Sequence, residues 1–252
     1  MTLAPVVPIR IQLCGPTVIE WDGQRVEGRL PGRQGRSLFA FLVLNRHRPV
    51  GRDELVESLW PGRPTSAMES GLNPLISKLR RILGPQAIDG RSNLRLRLAA
   101  GARVDVETAT AAVHRAESRI VLGEFTRAWG PSLVALFVAE REFLPGEDGV
   151  WIAEERQLLA DIRVRALEAY AAAAFGTGGT ELPAAVRAGR QLVRLVPLRE
   201  SGYQLLMRAL AAQGNVAEAL RVYGDLRGVL REELGVSPCA TSQAVYEEML
   251  HS

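Results

Sequence analysis

The residues with the clearest chemical bias lie between Ser70 and Arg97. Over Ser70 to Gly84, SGLNPLISKLRRILG, a rotation of about 100° per residue gathers Leu72, Leu75, Ile76, Leu79, Ile82 and Leu83 on one arc of a helix. Ser70, Asn73, Ser77, Lys78, Arg80 and Arg81 fall on the opposite arc. That polar arc carries amide and hydroxyl groups toward its start and cations toward its end, the combination that hydrogen-bonds base edges and clamps phosphates. The run AIDGRSNLRLRL follows, with Leu94, Leu96 and Leu98 alternating with Arg95 and Arg97, and its GRSN turn makes it a hairpin that also presents Arg91. Segment 63–97 holds seven cations against two acids. An ordinary surface helix with solvated arginines is the alternative, and the neighbouring hairpin and charge imbalance speak against it.

Pro74 interrupts the polar arc. With Ser70 or Gly71 as N-cap the proline occupies N3 or N4, where at most one intrahelical hydrogen bond is lost, so it is expected to mark a helix start. A helix beginning earlier, near Ser66, would have to kink there.

Other chemistry finds little support. His47, His114 and His251 are dispersed, with no triad or metal spacing. FGTGGTEL lacks the preceding strand and following lysine of a phosphate loop. Glu140 and Glu142 beside LPGED read as a solvated acidic loop, and Cys14 and Cys239 as two reduced thiols. No catalytic residue, metal or cofactor is expected.

The elements that would position the basic arc can be read from the pattern around it. IRIQL and TVIEWDGQRV are short extended runs, with Asp22-Gly23 as a turn. RQGRSLFAFLVLN has helical spacing, Pro49-Val50 allows a brief extended link, and GRDELVESLW is a second helix that Pro61 stops. Strands, three helices with the last one basic, and a hairpin form the order of a winged helix-turn-helix. Residues 1–100 hold 15 basic and 8 acidic side chains, net +7, and the remainder 16 and 20, net −4. A basic first part and an acidic second part point to two domains with different partners, a polyanion for the first. Lys78 is the only lysine in the chain.

From VDVETATAAVHRAES onward the pattern is almost wholly helical, with breaks at LPGEDG, GTGG, VPLRE, GN and GVSP. ELPAAVRAGRQLVRLVP and NVAEALRVYGDLRGVL align with Ala185 over Ala219, 34 residues apart, which is the tetratricopeptide period. A helical bundle without repeat geometry is the alternative. The fold expected is mainly α with a small β component: a winged helix over 1–100 and an all-α, tetratricopeptide-like domain over 101–252. At 252 residues and 47% hydrophobic composition the chain can bury real cores, and it has neither a leader-like start nor about 18 uninterrupted apolar residues. A cytoplasmic protein without membrane contact is expected.

RIQLCGPTVIEWDGQRV, GRQGRSLFAFLVLN, VGRDELVESLWPG, LISKLRRILG and GNVAEALRVYGDLRGVLREELGVSP together resemble the Streptomyces antibiotic regulatory protein family of actinobacterial transcriptional regulators. The resemblance implies an OmpR-type winged helix followed by a bacterial transcriptional activation domain. It also implies binding to direct repeats in double-stranded DNA upstream of promoters, head-to-tail pairing on that DNA, and recruitment of RNA polymerase. Carried over by position, Asn73, Ser77, Lys78, Arg80 and Arg81 would contact the major groove, and Arg91 or Arg95 the minor groove or phosphates. The loop WPGRPTS, with Trp60, Arg63 and Thr65, would face polymerase. A helical-repeat scaffold whose basic domain binds an acidic protein partner is the competing functional reading.

Overall fold

A computed structural model of the protein describes residues 9–63 and 65–251, the side chains of residues 65–67 excepted. Of the N-terminal stretch MTLAPVVPIR, expected to carry no leader, residues 1–8 lie outside the described residues. Among the described residues no helix is long and apolar enough to cross a membrane. The protein is mainly helical with a small sheet component, in two compact units.

The first unit contains the described residues up to Thr108 together with Arg141–Leu159. Strands β1 (Arg10–Gln12), β2 (Val18–Trp21) and β3 (Gln24–Arg25) join β7 (Arg103–Val104) in a sheet of order β3-β2-β1-β7. Ile11 faces Ile19 in the antiparallel β1–β2 pair and Val104 in the parallel β1–β7 pair, and all three are buried. Asp22 and Gly23 join β2 to β3 with φ of 48° and 77°, the left-handed pair that a two-residue hairpin turn demands. Helix α1 (Gly32–Leu44) buries Leu38, Phe39 and Leu42. Helices α2 (Arg52–Leu59) and α3 (Thr65–Leu83) pack on α1 and on each other. A second small sheet has the order β4-β6-β5, with β4 at Val50–Gly51, β5 at Ile88–Asp89 and β6 at Asn93–Leu96. Gly90 turns the β5–β6 hairpin at φ 89°, and a Cβ there would stand 1.9 Å from the Asn93 carbonyl oxygen, so only glycine fits.

The compact units do not follow the boundary expected at 100/101, because Arg141–Leu159 belong to the first unit. Cys14 bridges to Phe143, Gly15 N–H donates to the Glu142 carbonyl at 2.7 Å, and Leu144 N–H to that of Leu13 at 2.9 Å. Trp151 donates Nε1–H to the Ser58 carbonyl at 3.1 Å and stands edge-on to Phe41 and Phe143, with centroids 5.2 and 6.0 Å away. Glu140 and Glu142 are exposed, as expected of a solvated acidic pair, but the neighbouring Glu147 is not. Glu147 is buried and accepts from Arg36 Nη2 at 2.7 Å and Arg33 Nε at 3.2 Å, while Glu142 is exposed and pairs with Arg156 at 2.9 Å.

The second unit contains residues 109–140 and the described residues from Ala160 onward. Helices α4 (Asp105–Val121) and α6 (Val150–Thr177) cross the division in the chain, and α5 (Phe125–Ala139) lies between them in sequence. Helices α7 (Leu182–Leu195), α8 (Glu200–Ala212), α9 (Val216–Leu234) and α10 (Ala240–Leu250) complete the unit. Short loops make α7, α8, α9 and α10 successive neighbours, and α8 packs against all three of the others. A Cβ on Gly189 would meet Leu206 at 3.0 Å and one on Gly202 would meet Leu192 at 3.1 Å, so paired glycines let α7 and α8 approach closely. Ala185 and Ala219, the residues aligned at the 34-residue spacing, are both in the core with Met207, Leu210 and Val245.

Candidate nucleic-acid interface

The apolar arc of α3 is its buried face. Leu72, Leu75, Ile76, Leu79 and Leu83 are buried and Ile82 is half-buried, while Asn73, Pro74, Ser77, Lys78 and Arg81 are exposed. A helix this amphipathic is pinned by burial rather than by propensity, so its polar face has a fixed direction. Pro74 does not mark the helix start. The helix begins at Thr65 and runs through Pro74, nine residues further on. An exposed interior proline brings no N–H to the helix ladder, and the five buried residues around and beyond it hold the element together in its place.

The polar face divides into side chains with internal partners and side chains without them. Arg80 is half-buried, and its Nε and Nη2 donate to the carbonyls of Ile88 and Gly90 at 3.1 and 2.5 Å. It ties α3 to the hairpin, which leaves it less free to reach outward than its neighbour Arg81. Arg95 donates its Nε to the Arg46 carbonyl at 3.0 Å, and Arg97 pairs with Asp89 at 2.6 Å. That Arg97 bond, with the Gly90 N–H, holds the Asp89 carboxyl below its usual range. Ser77, Lys78, Arg81 and the Arg91 side chain are exposed and have no hydrogen bond or ion pair among the described residues. Asn73 accepts at Oδ1 from Arg52 Nη2.

Arg52 is the residue that sequence reasoning missed. It opens α2, and besides Asn73 it reaches the Arg91 carbonyl at 3.2 Å and Glu69 at 3.5 Å, so one guanidinium links α2, α3 and the hairpin. A cation at a helix N-terminus opposes the helix dipole, and that misfit in GRDELVESLW was the available signal.

The loop after α2 is placed only in part. Trp60 is half-buried and its ring lies on α3, since a Cβ at Gly71 would stand 3.3 Å from Trp60 Cη2. It is a packing residue. Arg63 is exposed, and its N–H closes a turn on the Trp60 carbonyl at 3.1 Å. Pro64 and the side chain of Thr65 lie outside the described residues.

Several titratable groups elsewhere are engaged in structure. The buried Cys14 thiol is pushed far up by desolvation and by Asp105, whose carboxylate accepts from the N–H groups of Leu13 and Cys14. His47 and His114 stand 3.5 Å from Glu107 and Glu117. Among the described residues no three His, Cys, Asp or Glu side chains group as a metal site would require.

Residues 104–250, more than half of the chain, match the family described as the bacterial transcriptional activator domain. The chain belongs to that family. Several regulatory proteins are similar over nearly its whole length. Regulatory protein AfsR of Streptomyces coelicolor is 30% identical over 245 residues, covering 97% of this chain and 24% of AfsR. Transcriptional regulatory protein EmbR of Mycobacterium tuberculosis is 28% identical over 246 residues, covering 94% of this chain and 62% of EmbR. Transcriptional regulator RedD of Streptomyces coelicolor is 28% identical, covering 96% of this chain and 70% of RedD. The chain thus spans about a quarter of AfsR and about three fifths of EmbR. A structure of Mycobacterium tuberculosis EmbR, in complex with a low affinity phosphopeptide, superposes with a TM-score of 0.81 at 26% identity, covering 96% of this chain and 65% of that one. These relatives bear out the regulator family to which the sequence motifs pointed.

Proposed function

We propose that the protein is a sequence-specific DNA-binding transcriptional regulator, acting in the cytoplasm as a binding protein and not as an enzyme. The observation that carries the reading is the outer face of α3, where Ser77, Lys78 and Arg81 stand exposed, without partners among the described residues, beside the exposed Arg91 of the hairpin. Cations left unpaired on a fixed helix face are what phosphate contact needs, and the hydroxyl and amide groups beside them suit base edges. The order of sheet, three helices and β5–β6 hairpin supports an OmpR-type winged helix in the first unit, with α3 in the major groove and Arg91, with the outer donors of Arg95, at the minor groove or phosphates. Residues 1–100 would then be the DNA-binding domain and 101–252 the activation domain, a stack of tetratricopeptide-like helix pairs.

An activator of this kind would bind direct repeats upstream of promoters. Head-to-tail copies suit direct repeats, since both half-sites share one orientation. Segment 60–66, with the exposed Arg63, would meet RNA polymerase. The experiment that tests the reading is fluorescence anisotropy on tiled duplexes from upstream of the protein's own and neighbouring genes, with scrambled DNA as competitor. A fragment preferred by about 10³-fold or more establishes a specific regulator. Binding no better than scrambled DNA refutes it and favours a scaffold whose basic domain takes an acidic protein partner.

A further inference from the structure

We propose that Arg52 sets which end of the Asn73 amide faces DNA, making Asn73 a donor that selects a base with a major-groove acceptor and rejects cytosine. This rests on the reading of the α3 face given above. Arg52 donates Nη2–H to Asn73 Oδ1 and Nη1–H to the Arg91 carbonyl at 3.2 Å, and its Nε is 3.5 Å from Glu69 Oε1. A guanidinium offers five N–H donors and no acceptor, so the Asn73 amide can turn only its oxygen toward Arg52. An amide's two orientations are ordinarily assigned from its surroundings, and here the partner's chemistry permits one alone. The Nδ2 end is left facing away from Arg52 on an exposed side chain, with no partner among the described residues.

The consequence follows from what each base shows in the major groove. Guanine presents the N7 and O6 acceptors, thymine presents O4, adenine presents N7 beside its N6 amine, and cytosine presents only its N4 amine. An outward NH2 group that only donates is best met by guanine, is met once by thymine or adenine, and is opposed by cytosine. The paired contact of an amide with adenine also needs the oxygen to accept from N6. In this protein that oxygen lies beside the positive charge of Arg52, where a second donor hydrogen is repelled. Adenine therefore gains no advantage over guanine. Arg52 is thus a positioning residue for Asn73, and it holds the hairpin through the Arg91 carbonyl at the same time.

The test is selection of duplexes from a randomised library by the full chain, followed by affinities for the selected duplex and its single-base variants. Wild type, Asn73→Asp and Arg52→Met are compared. Asn73→Asp keeps an oxygen for Arg52 but removes the donor, on an exposed residue where folding is not at stake. At one base pair wild type should prefer guanine over cytosine by roughly tenfold or more. Asn73→Asp should abolish that preference at that position alone, beyond any uniform loss from its charge, and Arg52→Met should shift the position toward adenine. If Arg52→Met does not fold, the Asn73→Asp comparison carries the test. The proposal is overturned if Asn73→Asp leaves every position within about twofold, or if wild type prefers adenine over guanine by about tenfold. A library yielding no motif overturns the regulator reading and this proposal with it, whereas a motif indifferent to Asn73 overturns this proposal only.

Discussion

In the second unit Arg165, Arg190 and Arg199 each close on a glutamate, Glu117, Glu218 and Glu168, at 2.7, 2.5 and 2.8 Å. On the α3 face of the first unit Lys78 and Arg81 have no such partner among the described residues, and Arg80 is tied to backbone carbonyls. The same side-chain type therefore serves two ends. A guanidinium paired with a carboxylate adds little net charge and fixes one helix against another, whereas a cation without a counter-charge projects its field into solvent. Along the chain the charge is net +7 in residues 1–100 and −4 beyond, but between the two units it narrows to +3 and 0, chiefly because Arg141–Leu159 bring two basic and five acidic side chains to the first.

Breaking the contrast from the first unit has the largest expected effect. Lys78→Ala with Arg81→Ala removes two charged contacts of about 1.5–3 kcal/mol each, so affinity for the preferred duplex should fall roughly a hundredfold or more. Anisotropy titration at fixed salt reads it, and a loss under threefold would remove this face from the interface. Arg80→Ala should act mainly on the fold. Losing its bonds to the hairpin should cost about 1–2 kcal/mol, read as a lower urea midpoint, with little change in salt dependence on DNA. An unchanged midpoint with weakened DNA binding would return Arg80 to the contact set.

The second unit sharpens the contrast through pH. The Arg165 hydrogen bond holds the Glu117 carboxyl below its usual range, against the effect of burial and with help from the nearby charge of Arg165 and from His114. A depressed carboxylate contributes stability above its unfolded value of about 4.3, and that contribution fades as pH falls through the folded value. Glu117 is more than a third exposed, so solvent screening limits the contribution to at most about 1 kcal/mol. Unfolding of Glu117→Gln and wild type at pH 7 and pH 3 should show a gap at neutral pH that closes in acid. A gap of equal size at both would mean that the pair's charge contributes nothing. The smallest effect is expected at Gly71→Ala, where about 1 kcal/mol of helix propensity is opposed by a Cβ 3.3 Å from Trp60. A net change within about 0.5 kcal/mol is expected, and a clear gain would show that the ring moves aside freely.

Much of this architecture was legible because it is periodic. Six apolar residues at helical spacing identified the buried arc of α3, and Asp22-Gly23 and the GRSN segment identified two hairpin turns. Pro74 misled because local sequence favours a helix start at Ser70, while the burial of Leu72, Leu75 and Ile76 on the rest of the unit carries the helix through the proline. The placement of Arg141–Leu159 rests on Phe143, Glu147 and Trp151 meeting Cys14, Arg36 and Phe41, contacts some 110 residues or more apart that no local pattern encodes. Arg80 and Arg81 look alike in sequence. What separates them is the position of two backbone carbonyls on the hairpin, and a carbonyl belongs to every residue.

The most direct test of the central claim is the slope of log K against log salt concentration on one duplex for wild type, Lys78→Ala/Arg81→Ala and Arg190→Ala. If the unpaired cations of α3 meet phosphates and the paired arginine of the second unit does not, the double variant's slope shrinks by about 1.8 while Arg190→Ala keeps the wild-type slope. Three equal slopes, or a loss confined to Arg190→Ala, would contradict the account.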